Sequence, residues 1–131
     1  MEKDLAATAT TTINAPASDV WDALVNPEKI KQYMFGTNVV SDFKEGSPIT
    51  WKGEWKGKPY EDKGVIKRAT PGRVLEYTHN EHRVIVELSG NNGTTKVHLW
   101  QDNNPNEQAK QESEKNWAMM LEGLKKMLET G

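Results

Sequence analysis

His79-Asn80-Glu81-His82 sets two imidazoles and a carboxylate within four residues, the densest group of metal-ligand side chains in the chain. Two histidines with no third partner at ligand spacing make an incomplete zinc set, and the phrase is built from loop-forming residues. The reading is a solvated turn closing a strand. His98 lies on the strand parity opposite Val97 and Leu99, which aims it at solvent or a partner. Neither a metal nor a cofactor is expected.

Nucleophilic chemistry has no foothold. There is no cysteine, no Gly-x-Ser-x-Gly elbow and no glycine-rich phosphate loop. Asp62 and Arg68 share the parity of Tyr60 and Ile66. An acid or base facing inward in an apolar cavity would have a shifted pKa and serve proton chemistry. The expectation is that both sit in water at the ends of the sheet. No catalytic residue is assigned, and the protein is read as not an enzyme.

The aromatic residues are weighted towards tryptophan: five Trp against three Tyr and two Phe. Trp brings a large flat surface and an N–H that wants a partner. Ile49, Trp51, Gly53 and Trp55 alternate with Thr50, Lys52, Glu54 and Lys56, as a strand with one wet face requires. Tyr60, Gly64 and Ile66 follow on one parity of the next strand. Tyr77, Val86 and Leu99 lie on inward parities further on. These side chains, with Trp117 opposite, either fill the space over the sheet or line a small-molecule cavity there. Gly53 and Gly64 either relieve crowding where the sheet curls or leave a hollow. Met34-Phe35-Gly36 ends the second short helix, and an adaptable Met suits a gate or a loosely specific site.

The elements that must position these residues end in one long helix. Asn104-Pro105-Asn106-Glu107 reads as cap, first-turn proline and capping-box glutamate. Trp117, Met120, Leu121, Leu124, Met127 and Leu128 recur at threes and fours, one face of a helix over about Asn106 to Leu128. Lys115, Glu122 and Lys125 fall on its polar face. At roughly 35 Å it must cross the whole molecule. Upstream, a β-branched run over Leu5–Asn14 predicts a strand. A short helix starts at Pro16, with Val20, Trp21 and Leu24 inward. A second opens at Asn26-Pro27 and ends at Gly36. Strands are then predicted over Thr37–Phe43, Ile49–Trp55 and Tyr60–Ala69, near Leu75–Tyr77, and over Arg83–Leu88. Gly90-Asn91-Asn92-Gly93 turns the chain into a last strand through Val97 and Leu99. This order predicts an α+β domain spanning 1–131, a curled antiparallel sheet with the terminal helix laid across it.

The chain has 131 residues and a formal net charge of −2, with both signs interspersed. That is enough for a core without staples and argues against a nucleic-acid binder. No apolar run reaches membrane-spanning length, and the N-terminus lacks the regions of a signal peptide. A soluble, cytoplasmic protein is the expectation.

The element order resembles the helix-grip fold of the START-like (SRPBCC) superfamily, which includes lipid carriers, pollen allergens and polyketide cyclases. More closely, the phrases Ile13-Asn14-Ala15-Pro16, Val20-Trp21-Asp22-Ala23-Leu24 and Asn26-Pro27-Glu28-Lys29-Ile30 resemble homologues of the activator of the ninety-kDa heat-shock chaperone's ATPase. Leu75-Glu76-Tyr77-Thr78, Ser113-Glu114-Lys115-Asn116-Trp117 and Leu121-Glu122-Gly123-Leu124-Lys125-Lys126 continue the likeness almost to the end of the chain. Tyr33 stands where many relatives carry Trp. In the eukaryotic activators a separate N-terminal domain does much of the stimulation, and no stretch here reads as that domain. The resemblance implies a hydrophobic cavity between sheet and helix that binds an apolar or amphipathic ligand. It also implies, as alternatives, a chaperone contact or a cyclase- or hydrolase-like activity. The expected lining of that cavity includes Met34, Phe35, Trp51, Gly53, Trp55, Tyr60, Trp117 and Met120. Ile66, Tyr77, Val86, Leu99, Leu121 and Leu124 complete the same expected lining.

Overall fold

The computed structural model describes residues 5–34, 36–55, 57–80 and 82–130. Phe35, the Trp55 side chain and Glu81 lie outside the described part. Seven strands form one antiparallel sheet: β1 (Leu5–Ile13), β2 (Asn38–Val40), β3 (Pro48–Trp55), β4 (Lys58–Thr70), β5 (Val74–His79), β6 (His82–Asn91) and β7 (Thr94–Asn104). Their order across the sheet is β1-β7-β6-β5-β4-β3-β2. Helices α1 (Ala17–Val25) and α2 (Pro27–Tyr33) link the first two strands, which lie at opposite edges, and α3 (Glu107–Thr130) closes the fold. This is the α+β helix-grip architecture expected from the element order.

The helices follow local chemistry. Asn26 caps α2 by accepting the Glu28 N–H at 3.0 Å, ahead of Pro27. Tyr33 closes α2 inside the core, its hydroxyl donating to the Ala23 carbonyl at 2.8 Å. Gly36 then takes φ +81°, a left-handed conformation suited to leaving a helix. In α1 the buried positions are Val20, Ala23 and Leu24, while Trp21 packs partly buried beside the core. The cap of α3 is Asn106 and not Asn104: Asn106 Oδ1 accepts the Ala109 N–H at 2.8 Å. Asn104 is instead a buried residue ending β7. Its Nδ2 donates to the Leu5 carbonyl at 2.8 Å and its Oδ1 accepts from Ser113 Oγ at 2.9 Å.

Met120, Leu121 and Leu124 are the buried stripe of α3, and Trp117, Met127 and Leu128 flank it partly buried. Polar side chains of α3 reach β1 and the residue after it. Glu114 Oε2 accepts the Thr8 N–H at 3.0 Å, Glu129 Oε2 accepts the Asn14 N–H at 2.8 Å, and Lys125 Nζ donates to the Thr12 carbonyl at 2.8 Å. Lys125 is therefore an anchor and not a bystander on a wet face.

Two departures in the sheet bear on the site. The strand expected over Thr37–Phe43 shrinks to Asn38–Val40, because Phe43 at φ +56° turns into the core and leaves the ladder. β4 pairs with β3 along its first half and with β5 along its second, with a register shift between Ile66 and Arg68. That shift reverses parity, so Ala69 faces Leu75 while Arg68 turns to the exposed outer side opposite Glu76. Gly64 lies at the handover. A Cβ there would fall inside the van der Waals envelope of the Thr78 carbonyl, so this glycine relieves crowding and leaves no hollow.

Leu121→Ala should cost about 2–5 kcal/mol in a urea titration, whereas Lys115→Ala on the exposed face should cost under about 0.5 kcal/mol. Gly64→Ala should destabilise more than Gly53→Ala. The first meets the Thr78 backbone, while the second meets only the end of the Tyr60 side chain, which can swing aside. Equal melting temperatures for the two glycine variants would contradict this account of the curl.

Candidate functional site

Among several surface clefts, two meet at Met34 at one end of the grip, where aromatic and Met side chains line them. A cleft of about 450 Å³ is lined by Met34, Thr37, Trp51, Glu54, Tyr60, Asp62 and His79. A second, of about 290 Å³ between sheet and α3, is lined by Met34, His79, His82, Val84, Gln101, Ser113, Asn116, Trp117 and Met120. Met34 and His79 belong to both. Beneath them the interior is nearly closed. A void of about 30 Å³ remains among side chains that include Leu24, Phe43, Ile49, Leu75, Val86 and Met120. That is room for about two waters at most, in apolar surroundings.

The wall shared by the clefts is built by parity. Leu75, Tyr77 and His79 share the inner face of β5, and Trp51 on β3 packs against the last two. Ring centroids are 5.5 Å apart for Trp51–Tyr77 and 4.4 Å for Trp51–His79. Across from them Asp62 Oδ2 and His79 Nε2 are 3.0 Å apart, both side chains about one-third exposed. Burial is the largest single influence on the Asp62 carboxyl and raises its pKa. The hydrogen bonds to His79 and Asn80 and the His79 charge together outweigh it and hold the group below its ordinary value. Tyr33 and Tyr77 are pushed well above the ordinary phenol range, chiefly by burial, and are neutral packing groups.

On the α3 side, Trp117 Nε1–H donates to the Oε1 of Gln101, a buried amide on the inner face of β7. That bond turns Gln101 Nε2 towards His82 Nδ1, 3.0 Å away, and the same Nδ1 lies 3.0 Å from the Asp102 carbonyl. His82 is thereby held in place. The chain turns after β5 as expected, with Asn80 exposed at φ +56°, but the flanking histidines are not solvated: they pair across the β5–β6 ladder and are half-buried in the cleft walls. Among the described residues no cluster suited to a metal occurs. His98 lies on the outer face of the sheet, its Nδ1 3.1 Å from Thr10 Oγ1, as its parity predicted.

The expected lining divides in three. Met34, Trp51, Tyr60, Trp117 and Met120 border the clefts. Tyr77 and Val86 touch only the small void, while Ile66, Leu99, Leu121 and Leu124 are solid core that borders none of these spaces. Gly53 lines no hollow either. The Tyr60 ring occupies the place of its missing side chain, and the Tyr60 hydroxyl meets Thr37 Oγ1 at 2.7 Å. Phe35 and the Trp55 side chain lie outside the described residues. Asp62, expected in bulk water, is half-buried with a partner, while Arg68 is exposed as expected. Sequence reasoning missed His79, His82, Gln101, Thr37 and Glu54. For His79 and Gln101 a signal existed, since each continues an inner parity, after Tyr77 and Leu99 respectively.

Residues 14–129 match the family model of activator of Hsp90 ATPase homolog 1-like proteins. The chain belongs to that family. The solution structure of ChR145 from Cytophaga hutchinsonii is similar to it at 52% identity, TM-score 0.87, covering 99% of this chain and 97% of that one. The Aha1 dimer from Colwellia psychrerythraea is similar at 16% identity, TM-score 0.79, over 95% and 96% of the two chains. Ara h 8.0201 shares the fold at 11% identity, TM-score 0.78, over 98% and 99%. No curated protein matches the sequence. The family and these neighbours agree with the START-like helix-grip superfamily, and among the described residues no helix is long and apolar enough to cross a membrane.

Because the folded Asp62 pKa is depressed, its contribution to stability is present above the unfolded carboxyl value and is lost as pH falls through the folded value. Asp62→Asn should lower the melting temperature at about pH 7, and the gap should close towards about pH 2. A gap independent of pH would show that the Asp62 charge plays no part.

Proposed function

We propose that this helix-grip protein binds a small apolar or amphipathic ligand without transforming it. The ligand lies at the mouth, in the clefts on either side of Met34, and not in a deep hollow. The observation that carries this reading is the contrast between about 450 and 290 Å³ of open cleft and about 30 Å³ of interior void. A site of that size with aromatic and Met walls and a few polar groups suits a small organic ligand. We read the chain, 1–131, as one START-like domain working in the cytoplasm without a cofactor.

Two other readings rank behind it. A chaperone contact is favoured by the family match. It needs a docking surface, and among the described residues the exposed large hydrophobics Val40, Val65 and Met119 stand on three different elements. A hydrolase- or cyclase-like activity is favoured by the Asp62–His79 pair, but among the described residues no serine or cysteine lines the larger cleft beside it.

An environment-sensitive apolar dye should bind near one-to-one and change the tryptophan fluorescence. Met34→Trp should block both clefts and weaken binding at least about tenfold, while Met34→Ala keeps or strengthens it. Equal dye affinity in all three proteins, with unchanged melting temperatures, would rule out the mouth as the site.

A further inference from the structure

We propose that the cleft between Met34 and the β3–β4 hairpin takes a cationic amphiphile, an apolar ring-sized body carrying an ammonium or amidinium group. This rests on the ligand-binding reading and names the chemical class of its ligand.

The walls supply the apolar half of the match through Met34, Trp51 and Tyr60. The charge comes from Glu54 and Asp62, and no Lys or Arg among the described residues lines the cleft. Several carboxylates with half-buried side chains elsewhere in the described residues have a cationic partner. Glu76 pairs with Arg83 at 2.6 Å, Glu129 with Lys125 at 2.8 Å and Glu114 with Lys110 at 3.4 Å. Among the described residues Glu54 makes no ion pair, and Asp62, hydrogen-bonded to His79 and Asn80, has as its one ionisable partner the His79 imidazole, which is charged only when protonated. The other polar atoms at hand are already matched: Thr37 and Tyr60 hydrogen-bond each other. The cleft thus holds two carboxylates without a permanently charged partner, beside an apolar wall.

That arrangement selects by charge. An anion entering would meet two like charges as water leaves the cleft. A neutral ligand would desolvate Asp62 further and give nothing back. A cation restores the missing counter-charge while its body covers the aromatic wall. The depressed Asp62 pKa keeps the carboxylate ionised at neutral pH, in agreement with this role.

The test uses three ligands with one ring system: naphthylmethylammonium, naphthylmethanol and naphthoate. Each is titrated at about pH 8, where an ordinary imidazole is neutral, and read by NMR shifts of the Trp51 and Tyr60 resonances. The ammonium compound should bind about tenfold tighter than the alcohol, and naphthoate weakest. Glu54→Gln should reduce that preference, and the Glu54→Gln/Asp62→Asn double variant should abolish it while the alcohol binds as before. Glu54 is exposed and unpaired, so its single variant tests the idea even if the double variant unfolds. Equal binding of all three at the mouth, or tighter naphthoate, would overturn the cationic assignment and leave the ligand-binding reading standing. No shift at Trp51 or Tyr60 with any of the three would overturn both.

Discussion

The curl of this sheet depends on a contact that only glycine permits. At Gly64 the strand β4 leaves one neighbour for the other, and the Thr78 carbonyl comes down where a side chain would stand. Val65 N–H bonds Thr78 Oγ1 at 2.9 Å and Asn80 N–H bonds the Lys63 carbonyl at 2.9 Å, which fixes the crossing. The end of β5 is thereby folded over β3 and β4. His79 lands on Trp51 and within reach of Asp62, three residues brought together from three strands. Without that approach the mouth would have no common wall.

The elements were largely legible because their signals are local. Alternation on β3, the Asn26-Pro27 cap and the threes-and-fours stripe of α3 each sit within one segment. What escaped reading depends on partners far along the chain. On paper Asn104, followed by Pro105 and Glu107, is the cap, but Leu5 and Ser113 claim its side chain and Asn106 caps the helix instead. Arg68 reads as inward until the register shift behind it reverses the parity. His79 and His82 look like turn residues, yet ladder pairing continues through both.

The site was legible as a region and not as a surface. Parity identifies which side chains face the helix, but it cannot say how completely they fill the space. Trp51 and Trp117 show the difference. Trp51 is almost wholly buried against two rings, while Trp117 stays half-buried because its N–H is held by Gln101 at the cleft's margin. Gly53 looks like a gap along its own strand, but Tyr60 from the neighbouring strand closes it.

The bonds from α3 to β1 have a consequence for association. β1 is an edge strand, with outward N–H and C=O groups that invite pairing with a strand of another molecule. Glu114 occupies the outward N–H of Thr8, Lys125 the carbonyl of Thr12, and Glu129 the N–H of Asn14 just past the strand. The terminal helix thus serves as a side-chain substitute for an eighth strand and blunts this border against templated growth. Strand addition is left to the opposite border, where β2 offers three residues, too short a ribbon to nucleate a continuous intermolecular sheet.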